Sequence, residues 1–294
     1  MSFDDIFTTP QEPQKDNFDK DAWAERKKAE RTQVYALVDL TAEKMGVNGD
    51  ALRTYLDVQA RFDRYSVTNA ILISAQNPNA TRLGSFDYWK NQGAFVKKNQ
   101  QGITILEPGD EYLKDDGSIG VSYNPKRVFD QLQTNQQRVI PPTAKHDERT
   151  LIRALIHNSP VPVKSVDELP SGVSGAVFDP KKNTIYVQKG MSGQEIFRSL
   201  ALELAHAELA GGDVDYTRTA NGFNAYCVSY VLCERNNVDT QGYNFDRMPE
   251  SLSKMEAQEI RAELSQIREV SGDISARMNE VLDKTKQPRQ QDAR

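Results

Sequence analysis

The chain has 294 residues with a net charge of −5, and 38% of the residues are hydrophobic and 27% charged. This length exceeds one average domain and predicts a globular, cytoplasmic protein with two domains or one domain with large additions. A membrane span and a signal peptide are not expected, since no run approaches the ~18 consecutive apolar residues of a spanning helix and residues 1–7 are acidic. Any nucleic-acid binding must come from a locally basic surface.

The first half predicts three helices before any strand. Residues 1–18 carry no apolar period and are predicted to be disordered. A first helix begins near Asp19, a second covers about 50–63, and Ser66 is placed to cap a third. This part of the chain is therefore expected to start as a helical unit.

Strand signals follow at residues 102–106 and 127–130, where short β-branched or aromatic runs are flanked by turn residues. Asp115-Asp116-Gly117 lies between them and predicts a hairpin or loop. Helices and a small sheet together predict an α+β fold. The polar stretch 131–145, with Pro141-Pro142, is typical of a linker.

The second half predicts a further mixed unit followed by C-terminal helices. Its expected elements are a helix over about 147–158, strands at 161–163, 175–178 and 184–187, and helices at 192–210 and 217–236. Beyond Pro249, apolar residues follow a heptad-like register with Ser271 at a vacant core position. Ser271-Gly272-Asp273 is expected to allow a break there. The stripe fits packing on its own domain as well as dimerisation, so the oligomeric state stays open, and residues 284–294 are predicted to be disordered.

The two cysteines, Cys227 and Cys233, lie six residues apart in an apolar stretch. This spacing fits neither a disulfide framework nor a CxxC metal site. Two buried thiols in a reducing compartment are expected.

A damaged metal motif lies in the second half. In an HExxH helix the two histidines share a face and hold one zinc, while the glutamate polarises the metal-bound water. This chain has Leu202-Glu203-Leu204-Ala205-His206, so the first ligand is a leucine. Only two further histidines, His146 and His157, are present. A catalytic zinc needs about three protein ligands, so Glu203 and His206 are interpreted as vestigial and no metal or cofactor is expected.

The segments 175–187 and 195–207 resemble the strand, hairpin and helix core of the zincin-type domain in ArdC-type antirestriction proteins, which is related to ImmA/IrrE metallopeptidases. The resemblance extends to 225–233, where the family places an acidic third ligand. Asn224 or Tyr226 occupies that register here. The resemblance therefore implies a pseudopeptidase without catalytic residues, and not an enzyme.

Residues 61–106 are basic and aromatic, with six cations against two carboxylates in an otherwise acidic protein. Cations that track phosphates and aromatic faces that stack on bases are the means by which proteins hold single strands without a sequence code. The competing interpretation of the pattern is that the aromatics are core residues and the lysines only solvate the surface. The candidate nucleic-acid-binding residues are Arg61, Arg64, Tyr65, Asn69, Gln76, Arg82, Phe86, Trp89, Lys90, Lys97 and Lys98.

The motif from Arg64 to Asn69, the segments 75–81 and 96–106, Trp89 and the run 128–134 together resemble the N-terminal single-stranded-DNA-binding domain of the ArdC family. The two resemblances cover roughly residues 50–250 in the family's order. The implied organisation is a lead-in (1–18), a DNA-binding domain (19–135), a linker (136–146), a pseudopeptidase domain (147–249), C-terminal helices (250–283) and a tail (284–294).

The resemblance implies a sequence-tolerant single-stranded-DNA-binding protein of a plasmid, conjugative transposon or phage, which counters restriction or protects transferred DNA. Two alternatives stay open from the sequence. One is a zinc peptidase with atypical ligands. The other is an interaction module that binds a conjugation or restriction protein through the pseudopeptidase cleft and the C-terminal helix.

Overall fold

The computed structural model describes residues 19–136, 146–170 and 172–286. The helices are α1 (Lys20–Val47), α2 (Gly49–Arg61), α3 (Val67–Gln76), α4 (Phe86–Asn91), α5 (Glu148–Leu155), α6 (Gly193–Ala210), α7 (Arg218–Arg235) and α8 (Ala257–Lys286). The strands are β1 (Leu83–Gly84), β2 (Ile103–Leu113), β3 (Ile119–Asp130), β4 (Val163–Val166), β5 (Ala176–Asp179) and β6 (Thr184–Gln188). The predicted α+β class is confirmed. The predicted lead-in and most of the predicted linker and tail lie outside the described residues.

Side-chain caps set the starts of the first three helices. Asp19 accepts backbone N–H bonds at the start of α1, Asn48 does the same for α2, and Ser66 accepts from the Asn69 N–H. Such caps satisfy backbone donors that a helix leaves without an internal partner. The three helices and the Ser66 cap follow the sequence prediction.

The first sheet has the order β1-β3-β2 and is antiparallel throughout. Strands β2 and β3 form the predicted hairpin, closed by a turn in which Gly117 has a φ of +80°. They are longer than the expected runs, because polar residues such as Glu107 and Asn124 also pair across the ladder. β-propensity alone does not mark these positions as strand.

The second sheet has the order β4-β6-β5, with β4 parallel and β5 antiparallel to β6. The turn between β5 and β6 contains Asn183 at a φ of +46°, which asparagine tolerates better than most residues. Helix α6 then begins with a capping box between Ser192 and Glu195 and ends at left-handed Gly211. This arrangement places one face of α6 against β5 and β6.

Helix α8 is a single helix, so the expected break at Ser271-Gly272-Asp273 is wrong. Ser271 is fully buried and donates its hydroxyl proton to the Arg268 carbonyl oxygen, which satisfies it inside the helix. The heptad-like residues are buried in the chain's own core, and they are Ile260, Leu264, Ile267, Ile274 and Met278. The stripe therefore packs on its own fold. The helix also continues to Lys286, beyond the expected boundary at 283.

One hydrophobic core includes residues from both halves of the described chain. Helices α1 and α2 pack against α8 and α7, and Tyr230 on α7 donates a hydrogen bond of 2.5 Å to Asp57 on α2. Cys227 and Cys233 are buried free thiols, as expected, and burial raises the pKa of the Cys233 thiol to about 11. Among the described helices, none combines the length and the apolar character needed to cross a bilayer.

Candidate functional site

Trp89 on α4 is a core residue. Its side chain is 0% exposed, and its indole Nε1–H donates to the Phe129 carbonyl oxygen at 2.9 Å. Ser85 caps this short helix by accepting from the Tyr88 N–H. A buried indole with its only donor satisfied stabilises the fold and presents no face for a base. The structure therefore separates Trp89 from the other aromatics of the predicted interface.

Several side chains around Trp89 are exposed instead. Phe86 is 53% exposed and Phe95 is 57% exposed. We call the exposed residues on α4 and in the chain segments directly before and after it the α4 surface, and they are Arg82, Phe86, Lys90, Phe95, Lys97 and Lys98. It contains two phenyl rings and four cations, the combination that holds single strands.

Arg82 is fixed on the aromatic side chains of α4. Its guanidinium lies 5.8 Å from the Tyr88 ring centroid and 5.6 Å from the Trp89 ring centroid, and it donates to the Tyr88 hydroxyl at 2.5 Å. Its backbone N–H donates to the Asp130 carboxylate at 2.9 Å. Cation–π contacts of this kind hold a charged head group at the surface in one orientation.

The segment that carries Phe95 and Lys97 is held by hydrogen bonds that its backbone N–H groups donate. The Phe95 N–H donates to the Asn135 side-chain oxygen at 2.8 Å, and the Lys97 N–H donates to the Gln133 carbonyl oxygen at 2.9 Å. The Lys97 ammonium also donates to the Leu132 carbonyl oxygen at 3.2 Å. The outward position of Phe95 is therefore set by its backbone.

Two predicted interface residues instead attach α3 to β2. Asn69 bridges both backbone groups of Leu106, donating to its carbonyl at 2.9 Å and accepting from its N–H at 2.7 Å. Gln76 makes the same pair of contacts with Thr104, at 2.8 and 2.9 Å. Their amides satisfy the strand's backbone, so these side chains have a structural role in this fold.

The remaining predicted residues lie at the end of α2 and the start of α3. Arg64 is exposed, and Arg61 is exposed and donates to the Pro78 carbonyl oxygen. Tyr65 is half-buried, and burial raises the pKa of its hydroxyl. Its backbone carbonyl accepts from Arg268 at 2.9 Å. The two arginines thus extend the basic character of the surface beyond α4.

The damaged metal motif forms a closed ion pair. Glu203 is 2% exposed, and one of its oxygens accepts the Phe178 N–H at 2.7 Å. Arg218, the first residue of α7, pairs with both carboxylate oxygens, through Nη1 to Oε2 and through Nη2 to Oε1 at 2.8 Å. Sequence reasoning did not identify Arg218, because its partner is 15 residues away on another helix and no motif joins them.

His206 is buried beside this pair. Its Nδ1 shares a hydrogen bond of 2.7 Å with the Tyr216 hydroxyl. Burial, with a smaller contribution from the positive charge of Arg218, lowers the pKa of His206 to about 4. Burial also raises the pKa of Tyr216 to about 12. At neutral pH both groups are therefore uncharged.

Leu202 lines a cavity of about 210 Å³ together with Tyr226. Asn224 points elsewhere, because its amide donates to Glu263 and, at 2.7 Å, to Gln266 on α8. Asn224 and Tyr226 were the two positions at which the family's acidic third ligand could fall. Tyr226, and not Asn224, shares a cavity with Leu202 of the motif.

Residues 42–148 match the family model described as the N-terminal domain of anti-restriction factor ArdC. These residues are therefore similar to the N-terminal domain of ArdC. The predicted resemblance to ArdC antirestriction proteins is thus confirmed. A search of the curated proteins found no match.

The crystal structure of the antirestriction ArdC protein from plasmid R388, in its metal-free form, is similar to this fold. It has a TM-score of 0.51 and 16% identity, and the match covers 74% of this chain and 86% of that one. The Mn(II)-bound crystal structure of the same plasmid protein has a TM-score of 0.49 and 16% identity, with coverages of 76% and 97%. The first likeness shows an ArdC-like fold.

A metal ion does not fit the HExxH-like motif of this chain. Within the described ranges, no group of three His, Cys, Asp or Glu side chains is placed to hold an ion. Leu202 offers no donor atom, and Glu203, which in such a motif would polarise the metal-bound water, has both oxygens paired with Arg218. A metal site needs about three protein ligands.

Proposed function

We propose that this protein binds single-stranded DNA without strong sequence preference and acts in antirestriction, or in protection of transferred DNA, for a mobile genetic element. The proposal rests on one observation. An ArdC N-terminal domain presents two exposed phenyl rings, Phe86 and Phe95, among four exposed cations.

Each part of the α4 surface supports a step of that binding. Lysines and arginines neutralise phosphates, and each contact releases counterions from the strand. Exposed phenyl faces stack on unpaired bases, which every base permits because each has a π-face. In a duplex the bases are stacked on each other, so the phenyl rings would lose their partners. We therefore expect a preference for single strands.

A salt titration with matched single-stranded and double-stranded oligonucleotides tests the proposal. If about four of the six cations in residues 61–106 meet phosphates, the log–log slope of affinity against salt for a single strand is expected near −3, at about 0.7 per contact. Tighter binding to the duplex, or affinity independent of salt, would contradict it.

We further propose that the protein is not an enzyme at its metallopeptidase-like motif and needs no cofactor. The support is the chemistry of the donor set, in which Glu203 is paired with Arg218 and Leu202 replaces the first histidine. Elemental analysis of the purified protein is expected to show no stoichiometric zinc. One tightly bound zinc per chain, with peptidase activity abolished by Glu203→Gln, would establish the peptidase alternative.

A further inference from the structure

Glu203 connects three elements of the second half. It lies on α6, it accepts the Phe178 N–H of β5, and it pairs with Arg218 at the start of α7. In an HExxH helix the same glutamate must have a free oxygen to polarise a metal-bound water. Here the backbone donor and the guanidinium occupy both oxygens.

We propose that the Arg218 guanidinium is a built-in substitute for the positive charge of a metal ion at this site, and that it keeps metal ions out. A guanidinium suits this role because its planar fork matches a carboxylate in two parallel hydrogen bonds. It neutralises Glu203 without needing the missing ligand at Leu202. The ion pair also holds α7 against α6 and β5.

The surroundings of the pair agree with this role. The hydrogen bond to Glu203 raises the pKa of Arg218, so the guanidinium stays charged. A second cation within a few ångströms would meet its repulsion, which is only partly screened in a half-buried site. Restoring the absent ligands therefore should not be enough to restore metal binding. This role rests on the proposed absence of a metal at the motif and is independent of DNA binding, so it can fail separately from the DNA-binding proposal.

Isothermal titration with ZnCl₂ tests the exclusion of metal. The starting variant is Leu202→His with Tyr226→Glu, which places an imidazole one turn before His206 on α6 and a carboxylate at the cavity that Leu202 lines. Adding Arg218→Gln is expected to tighten zinc binding at least about tenfold. Equal affinity with and without Arg218→Gln would overturn the proposal.

Arg277→Gln is the matched control for that titration. Arg277 pairs with Glu208, on the same helix α6 but two residues beyond the motif, and both side chains are mostly buried. Adding Arg277→Gln to the same starting variant is expected to leave zinc affinity within about twofold. A gain equal to that of Arg218→Gln would show a general effect of net charge and would overturn the proposal.

A second measurement keeps the proposal testable if the ligand variants do not fold. Glu203→Gln, Arg218→Gln and the double variant form a cycle in an otherwise native chain, read by thermal melting. Arg218→Gln is expected to lower Tm strongly, since it leaves a buried carboxylate without its counter-charge. The double variant should recover part of that loss. Simple addition of the two losses would show that Arg218 does not balance the charge of Glu203, and would overturn the proposal.

Discussion

The α4 surface and the Glu203 site both have the residue types of a functional site, but the fold treats them in opposite ways. At the α4 surface, Phe86 and Phe95 are more than half exposed. At the second site, Glu203 and His206 are each 2% exposed, and Arg218 and Tyr216 are their polar partners. One set of side chains faces solvent, and the other is satisfied internally.

Composition and spacing therefore do not distinguish a side chain that is available to a ligand from one that is satisfied internally, whereas exposure and pairing do. A buried polar group must find a partner, and a group whose partners are all internal has little capacity left for a ligand. Exposed phenyl rings, in contrast, gain free energy when they bind a ligand, because stacking on a base removes their apolar surface from water.

The largest expected effect concerns the boundary between core and surface within α4. Trp89→Ala should destabilise the fold by about 3–5 kcal/mol, because it removes a fully buried indole and leaves a cavity. Phe86→Ala, three residues away, is expected to cost less than about 1 kcal/mol. Urea unfolding of both variants measures the contrast. Similar losses in the two variants would contradict the assignment of Trp89 to the core and Phe86 to the surface.

The next effect concerns binding. Phe86→Ala with Phe95→Ala should weaken single-strand binding by about 5- to 150-fold for each ring that stacks on a base, at nearly unchanged stability. Leu113→Ala with Ile119→Ala, at the exposed end of the β2 and β3 hairpin, is the control for removing exposed apolar surface. Fluorescence anisotropy with a labelled oligonucleotide measures both. Equal losses in the two double variants would remove the phenyl rings from the interface.

Local signals in the sequence were enough to predict much of the secondary structure. The start of α1 near Asp19, the cap at Ser66 and the start of α6 at Ser192 are short-range features, and they lie as predicted. The continuity of α8 was not predictable this way. Ser271 and Gly272 are weak helix formers, and only burial against the rest of the fold overrides them.

The candidate sites show the same limit at the level of side chains. Asn69 and Gln76 have the composition of a polar interface, yet their amides bind the backbone of β2. Arg218 belongs to no sequence motif and was not identified, although it pairs with both carboxylate oxygens of Glu203. These roles depend on partners distant in sequence, which a single sequence does not identify. The domain boundaries and the DNA-binding residues remain predictions.

A pH effect tests whether the Glu203 site is closed. The pKa of His206 is about 4 in the fold and near 6.5 when unfolded, so the unfolded chain binds a proton that the folded chain excludes between these values. Stability should fall as pH drops from about 6.5 toward 4, by up to about 1.4 kcal/mol per unit from this group. His206→Gln should flatten that part of the profile.

His157→Gln is the control, since His157 lies at the surface beside Glu280, at 3.1 Å. Thermal melts of the wild type and both variants between pH 7 and pH 5 give the comparison. If His206→Gln and His157→Gln show the same pH dependence as the wild type, His206 is not held in its neutral form by the fold.

The smallest expected effect on stability falls on the lysines of the α4 surface. Lys97→Ala with Lys98→Ala should change the free energy of unfolding by less than about 0.5 kcal/mol, because both side chains are exposed. Binding should still weaken, and if both lysines contact phosphates the salt slope should become shallower by about 1.4, at 0.7 per contact. Lys182→Ala with Lys189→Ala, in the turn before β6 and directly after β6, removes the same charge elsewhere and controls for net charge. If the salt slope is unchanged in the first double variant, or is reduced equally in the second, phosphates do not bind at Lys97 and Lys98. A slope that becomes shallower only in the first double variant would place these two lysines on the path of the single-stranded DNA across the α4 surface.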